Sequence, residues 1–241
     1  MLRQQDFVRN WDCDDCVPAF HRLVALLAVC NDRDELAADT AGQRNRRYLA
    51  LHRDLIGRNM EAQARCSRCE TLCEFPLPRD AMLASPSADP KSTVSLSVGG
   101  KTYRFRVPNM TDIAALPKNL MPSEIGSALA QACLVEAGGT LPDTVVRSLS
   151  AALDEADPLA SPVFAVECEQ CAESFSATVD LAGFVARELD LLLDRILRDV
   201  DRLARAYGWS ELEILAIPSA RRTRYLAMLG ASARSARPVA V

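Results

Sequence analysis

Two cysteine pairs constrain this sequence more than any other feature. Cys66 and Cys69 form one CxxC pair, Cys168 and Cys171 form another, and the pairs lie about 100 residues apart. Two intervening residues let both sulfurs of a pair point at one centre, and two such knuckles supply four thiolates in tetrahedral geometry. The pattern therefore predicts one structural Zn²⁺ per chain, bound by Cys66, Cys69, Cys168 and Cys171.

The spacing leaves two other interpretations of the cysteine pairs open. Zinc ribbons usually carry their two pairs about 15–20 residues apart, so the intervening segment must form a subdomain of its own. Ordinary buried thiols would need no metal. A redox dithiol is disfavoured, because neither pair lies in the βαβ context of a thioredoxin-like motif.

The other cysteines and the histidines are interpreted as structural. Cys13 and Cys16 open a helix beside three aspartates, which disfavour a thiolate, so they are read as incidental to an acidic helix start. The lone cysteines are expected to be buried small hydrophobes, with Cys73 as a possible competing ligand. The histidines are expected to be partly buried or at the surface. These lone residues are Cys30, Cys73, Cys133, His21 and His52.

Composition places the chain among ordinary globular proteins. Apolar residues make up 49% and charged residues 25% of the sequence, which argues against a disordered or fibrous chain. The net charge of −4 disfavours nucleic acid, whose binding proteins are usually basic. The first 15 residues have no signal-peptide pattern, and the apolar run 23–30 is too short to span a membrane. A cytoplasmic protein without a membrane partner is expected, with its thiols reduced.

Hydrophobic periodicity predicts an α+β fold that is mostly helical. Helices are expected at 17–30, 43–57, 123–137 and 142–156, with another that begins near Thr111 as N-cap. Two alternating runs around Gly99-Gly100 predict a β-hairpin insertion. A short edge strand is expected after the first cysteine pair, and strands at 162–167 and 174–180 are expected to flank the second pair. The two CxxC knuckles would thus belong to a small β element resembling a zinc ribbon.

The C-terminal region has the pattern of a long amphipathic helix followed by two short helices. Asp180 is the expected cap, and an apolar stripe runs from Val185 to Tyr207 at steps of three and four residues. Ser210 and Glu213 form a predicted capping box, and Pro218 begins the last helix.

Four regions follow from these patterns. They are a helical region at 1–62, a zinc-ribbon-like element at 63–180 with an inserted hairpin and helical subdomain at about 84–160, a helical region at 181–229 and a disordered tail at 230–241.

Motifs of the common enzyme classes do not occur in the sequence. There is no P-loop, no GxGxxG after a strand, no GxSxG and no HExxH. A four-cysteine zinc site is closed and keeps no open position for a water molecule. The sequence therefore predicts a protein that is not an enzyme.

A family resemblance begins at the second cysteine pair. Residues 167–190 and 202–229 combine a CxxC pair, a long helix, a YGWSE turn and an RRxxYL end. GQRNRRYLALHRDLIG, FRVPNMTDIAAL and EADPLA extend the likeness over most of residues 42–229. This combination resembles a family of phage baseplate proteins, named for the T-even-type tailed phages, whose bacterial relatives lie beside genes for phage-tail-like contractile injection particles. The chain lacks the Cys-Pro-x-Cys form of many relatives, and its first 40 residues have no counterpart.

The resemblance implies a non-enzymatic assembly factor, or chaperone, or a minor structural component of a baseplate or hub. Its partners would then be baseplate or hub proteins. The alternatives are a zinc-ribbon nucleic-acid-binding or regulatory protein and, with less support, a thiol oxidoreductase. Aromatic and arginine side chains anchor many interfaces, although a packing corner or a solvated face would have the same sequence. The candidate partner-binding residues are Tyr207, Trp209, Arg221, Arg222 and Tyr225.

Overall fold

The computed structural model describes residues 2–12, 18–84, 93–135 and 141–235, and side chains up to residue 230. The chain divides into two compact units, one formed by Met1–Cys30 with Ala186–Val241 and the other by Asn31–Val185. Cys13, Cys16, residues 85–92 of the predicted loop and Gly138-Gly139-Thr140 lie outside the described residues.

The secondary structure is mixed and 57% helical, which confirms the mostly helical α+β class. The described elements are α1 (Gln4–Trp11), α2 (Ala19–Leu27), α3 (Arg33–Ala38), α4 (Ala41–Leu55), β1 (Met60–Arg65), β2 (Leu72–Leu77), α5 (Arg79–Ala84), β3 (Thr93–Val98), β4 (Lys101–Arg106), α6 (Met110–Ala115), α7 (Pro122–Cys133), α8 (Asp143–Ala156), β5 (Val163–Glu167), β6 (Ser174–Thr178), α9 (Leu181–Tyr207), α10 (Glu211–Ala216) and α11 (Ser219–Ser235).

The first unit is held by buried aromatic side chains and a half-buried arginine of its N-terminal helices. Helix α1 packs on α2 and on α10, and it completely buries Phe7 and Trp11. The indole N–H of Trp11 donates a hydrogen bond of 2.9 Å to Asp190. Arg22 pairs with the same carboxylate at 2.7 Å and lies 4.5 Å above the Trp11 ring. The N-terminal residues are therefore tied to α9, far away in sequence.

Helix α9 begins where the sequence pattern placed its start. The Asp180 carboxylate accepts a hydrogen bond of 3.0 Å from the backbone N–H of Gly183. Side chains of the apolar stripe are buried from Val185 to Leu203, whereas Tyr207 is 37% exposed. Helix α11 has 17 residues and continues to Ser235. The predicted short last helix and the predicted tail are therefore wrong for residues 230–235.

Within the described part of the second unit there are three antiparallel hairpins, and two of them carry the cysteine pairs. Strand β1 pairs with β2, and β5 pairs with β6. These two hairpins contact each other through β2 and β5, with the rings of Phe75 and Phe164 5.8 Å apart. Strand β1 was not predicted, because its sequence MEAQAR favours a helix. Pairing with β2 overrides that preference.

The third hairpin supports a small helical layer. Strands β3 and β4 pair around Gly99 and Gly100, whose φ angles of 60° and 77° suit a two-residue hairpin turn. Helix α8 packs on β3, and α7 packs on α6, α8 and β4. A hydrophobic cluster fills the space between these elements: Phe105, Ala130, Leu141, Val145 and Leu149.

Helix α6 starts two residues earlier than the sequence suggested. Asn109 is the N-cap, and its side chain accepts from the backbone N–H of Asp112, whose carboxylate accepts from Asn109 in return. Thr111, the predicted cap, instead donates to the carbonyl of Ala37 at 3.0 Å. Asn109 is the N-cap in preference to Thr111 because Asp112 lies three residues after Asn109 and completes a reciprocal capping pair.

The start of helix α4 is held by a buried carboxylate from a distant loop. Thr40 and Gln43 form a capping box, and the backbone N–H of Gly42 donates to Asp157 at 2.8 Å. A negative charge at the N-terminus of a helix also interacts favourably with the helix dipole. A Cβ atom at Gly42 would lie 1.8 Å from an oxygen of Asp157, so this contact requires glycine.

Candidate metal centre

The first cysteine pair lies in the turn between β1 and β2. The Cys66 N–H donates to the carbonyl of Thr71 at 2.9 Å, and its carbonyl accepts from the Glu70 N–H at 3.1 Å. The N–H of Arg68 points at the Cys66 sulfur from 3.4 Å. These bonds close a tight loop that turns both thiols of the pair to the same side.

The second pair, between β5 and β6, repeats this geometry at the same sequence offsets. The Cys168 N–H donates to the carbonyl of Glu173 at 2.9 Å, and the Ala172 N–H donates to the Cys168 carbonyl at 2.8 Å. The residue after each pair is left-handed, with φ of 59° at Glu70 and 56° at Ala172. The two turns are thus equivalent knuckles, each built by local backbone hydrogen bonds.

The two knuckles bring their four sulfurs together. Sγ of Cys66 lies 3.7 Å from Sγ of Cys171, and Sγ of Cys69 lies 3.6 Å from Sγ of Cys168. All four sulfurs lie within 4.8 Å of one another. A tetrahedron with metal–sulfur bonds of about 2.3 Å has sulfur–sulfur edges of about 3.8 Å. A disulfide would need about 2.05 Å, so the spacing fits a shared metal ion and not a covalent bridge.

Burial differs among the four cysteines, and hydrogen bonding favours the thiolate form of one of them. Cys66 and Cys168 are buried, whereas Cys171 is half-buried and Cys69 is exposed. Hydrogen bonding with the hydroxyl and the backbone of Thr71 lowers the pKa of Cys69 to about 6. A thiolate is the form of cysteine that binds metals. The four cysteines can therefore hold a metal ion, and they are the side chains that the sequence predicted for it.

Cys73 lies in β2, close to the cluster, yet it is not part of it. Its thiol donates to the carbonyl of Thr71 at 3.6 Å. Burial is the main reason why its pKa is raised to about 11. Within the described residues, the potential metal ligands that the structure brings together are the four knuckle cysteines.

The other cysteines and the histidines lie outside the metal cluster, and their burial differs from residue to residue. Burial raises the pKa of Cys133 to about 11, and Cys30 is exposed, contrary to the prediction that it would be buried. His21 is exposed. His52 is completely buried, where Arg79 lies 3.1 Å from its Nδ1. The expectation of a partly buried or surface histidine is thus wrong for His52.

The candidate partner-binding residues divide into an aromatic cluster and two arginines with different surroundings. Tyr207 and Trp209 stack with their centroids 4.6 Å apart, and Tyr225 contacts both rings edge-on. Arg221 is exposed. Arg222 is buried, and its guanidinium donates to the carbonyl of Ile214 and to Gln4. Arg222 therefore packs inside its unit, and the prediction of a partner-contacting side chain does not fit this placement.

Sequence reasoning missed Thr71, which supports the metal cluster. Its hydroxyl oxygen lies 3.3 Å from the sulfur of Cys69, and its carbonyl accepts the hydrogen bond that closes the first knuckle. The signal available in the sequence was a hydroxyl residue two positions after the second cysteine of a pair. The second knuckle has Glu173 at that position, so comparison of the two pairs alone would not have revealed it.

Helices long and apolar enough to cross a membrane do not occur among the described residues. Comparisons of the chain with protein-family models, with curated proteins and with solved structures found no match.

Proposed function

We propose that the protein is a non-enzymatic assembly factor, or a minor structural component, of the baseplate or hub of a contractile phage-tail-like particle. It would act in the cytoplasm, where such particles are assembled from their subunits. The observation that carries the proposal is the YGWSELEIL and RRTRYL pattern between Tyr207 and Leu226. This is the most specific part of the resemblance to the baseplate family.

The residues of that pattern have identifiable structural roles in the first unit. Gly208 has a φ of 69°, which favours glycine. Ser210 and Glu213 form a capping box that starts α10, and Trp209 packs between Tyr207 and Tyr225. The pattern of the resemblance therefore encodes one defined corner of the backbone in this chain.

The metal in this proposal is a structural Zn²⁺ bound by the four knuckle cysteines. Four thiolates in tetrahedral arrangement suit zinc, and iron is the main competitor for such a donor set. A fully coordinated ion has no open position for a substrate, so its contribution is folding free energy. The residues of this chain would hold the ion and would join the β1–β2 and β5–β6 hairpins into one element.

The proposal is tested in cells that carry the tail locus. An affinity-tagged full-length protein at its native level should recover baseplate or hub subunits, measured by quantitative mass spectrometry against an untagged strain. Deletion of the gene should reduce the number of complete particles seen by electron microscopy, and the wild-type gene should restore them. Normal particles after deletion, together with no recovered tail subunit, would reject the baseplate role. Nuclease-sensitive recovery of DNA or RNA would instead support the nucleic-acid-binding alternative.

A further inference from the structure

An apolar groove runs between helices α7 and α8 in the second unit. It has a volume of about 370 Å³. Its floor includes Ala130 and Leu149, which belong to the hydrophobic cluster beneath the two helices. Half-buried Leu129, Val146 and Leu153 form its walls. The groove is therefore an open extension of the core of this subdomain.

The apolar surface continues outside the groove along α7. Ile125 is 43% exposed and precedes Leu129 by four residues, a spacing that puts both on one face of the helix. Met121, the N-cap residue just before α7, is 63% exposed. Exposed apolar side chains next to a groove add to the surface that it offers to a partner.

The polar groups at the groove restrict what can bind there. The walls are helices, whose backbone N–H and C=O groups are already paired within each helix. An extended peptide lying in the groove would leave its own backbone groups without partners, and burial of unpaired backbone groups is costly. A helix satisfies its backbone internally and can present side chains alone, as in other helix-in-groove complexes.

The charged side chains that line the groove itself are arginines. Its lining contains two arginines, Arg106 and Arg147, and no carboxylate. Arg106 is engaged by Asp112 on helix α6, whereas Arg147 is exposed on α8. An acidic side chain on the bound helix would therefore meet a complementary charge at the rim, and a lysine there would be repelled.

We infer that the α7–α8 groove binds an amphipathic helix of a partner protein, with an apolar stripe in the groove and an acidic residue beside Arg147. The groove is a property of the second unit, so this inference does not depend on the baseplate role or on the identity of the metal. It concerns a different surface from the aromatic corner at Tyr207.

The test uses the full-length protein and a fluorescein-labelled helical peptide with leucines on one face and glutamates beside them. A second peptide has lysines in place of the glutamates. Fluorescence anisotropy should show saturable binding of the acidic peptide, with an affinity roughly fivefold or more above that of the lysine peptide. Arg147→Glu should reverse this preference. The exposed Arg198 on α9 provides the matched control, and Arg198→Glu should leave the preference unchanged.

A steric variant tests the location of the site. A Cβ atom at Gly126, in the groove wall, would meet no atom within 4 Å, so Gly126→Phe adds a large side chain at the groove without a clash at its Cβ. It should weaken binding at least about tenfold, which is the effect of losing a buried anchor. Gly230 on α11 has equally open surroundings, and Gly230→Phe should bind like the wild type. Circular dichroism checks that both variants are folded.

Three results would overturn the inference. They are no saturable binding of either peptide, equal binding of both peptides, and unchanged binding by the folded Gly126→Phe variant. Sedimentation of the protein alone decides whether a second copy occupies the groove. If the protein self-associates, if Gly126→Phe abolishes this self-association, and if neither peptide binds, then the occupant of the groove is a second copy of this chain and not a partner helix.

Discussion

Loss of the metal is expected to destabilise the second unit strongly, because the four cysteines connect distant parts of the chain. Cys66 and Cys171 are 105 positions apart, and Cys69 and Cys168 are 99 positions apart. The perturbation is the Cys168→Ser substitution, or removal of the metal from the wild type by a strong chelator under reducing conditions.

The size of the effect follows from the length of chain that the ion closes. A cross-link around a loop of about 100 residues stabilises a protein by about 4.7 kcal/mol in the chain-entropy model. Domains have a total stability of about 5–15 kcal/mol, so loss of the link removes a large fraction. For a domain of about 150–250 residues, each 1 kcal/mol shifts the midpoint by about 2–4 °C. The expected decrease in Tm is therefore about 10–20 °C.

This prediction is tested by measuring the Tm by calorimetry and the metal content on the same samples. The wild type should contain about one zinc per chain, and Cys66→Ser and Cys168→Ser should each lose it. Cys30 lies outside the cluster and is exposed, so Cys30→Ser is the control that should keep both the metal and the Tm. A metal-free wild type with an unchanged Tm would refute the reasoning. One iron per chain would support the four-cysteine site but would identify the metal as iron and not zinc.

Further predictions concern single side chains of the second unit. Gly42→Ala should cost about 2–4 kcal/mol of unfolding free energy, because the new methyl group collides with Asp157, whereas Gly126→Ala should gain about 1 kcal/mol. Asp112→Asn should cost about 1 kcal/mol at pH 7. The hydrogen bond from its arginine partner lowers the pKa of Asp112, so this stabilisation is complete above the ordinary pKa of about 3.9 and disappears as the pH falls below it. Ala172→Gly should gain about 0.5–1 kcal/mol, because glycine relieves the left-handed backbone of the second knuckle.

Urea unfolding at several pH values measures all of these changes. Equal effects of alanine at positions 42 and 126 would contradict the close approach of the Asp157 carboxylate to α4. A cost of Asp112→Asn that stays constant from pH 7 to about pH 3 would show that the carboxylate charge is not used. Destabilisation by Ala172→Gly would mean that the left-handed residue has a favourable contact that outweighs its backbone cost.

The features that could be predicted from sequence are those encoded by neighbouring residues. The Gly99-Gly100 turn, the Ser210–Glu213 capping box and the start of α9 at Asp180 each depend on a few adjacent side chains, and each occurs where its pattern placed it. The four-cysteine cluster was also predictable, because each CxxC pair is a local unit. The prediction that both pairs belong to one cluster needed one further assumption, that the fold brings the pairs together, and the fold does so.

The features that were missed depend on residues far apart in the chain. Arg222 looked like a surface arginine, but it is buried and bonds to Gln4, 218 positions away. Strand β1 has helix-favouring residues and exists because β2 pairs with it. The contact between Asp157 and Gly42 spans 115 positions. Local periodicity contains no information about such partners.

The separation of the two knuckles also sets the order of events while the chain is being made. At about 5–20 residues per second, the ribosome needs on the order of 5–20 s to synthesise the roughly 100 residues between the first pair and the second. During that time the nascent chain offers Cys66 and Cys69 alone, which are half of a donor set. Stable capture of an ion by all four cysteines would have to wait until Cys171 has emerged. Metal loading would thus be a late step of biosynthesis, and it would report that the whole intervening segment has been completed.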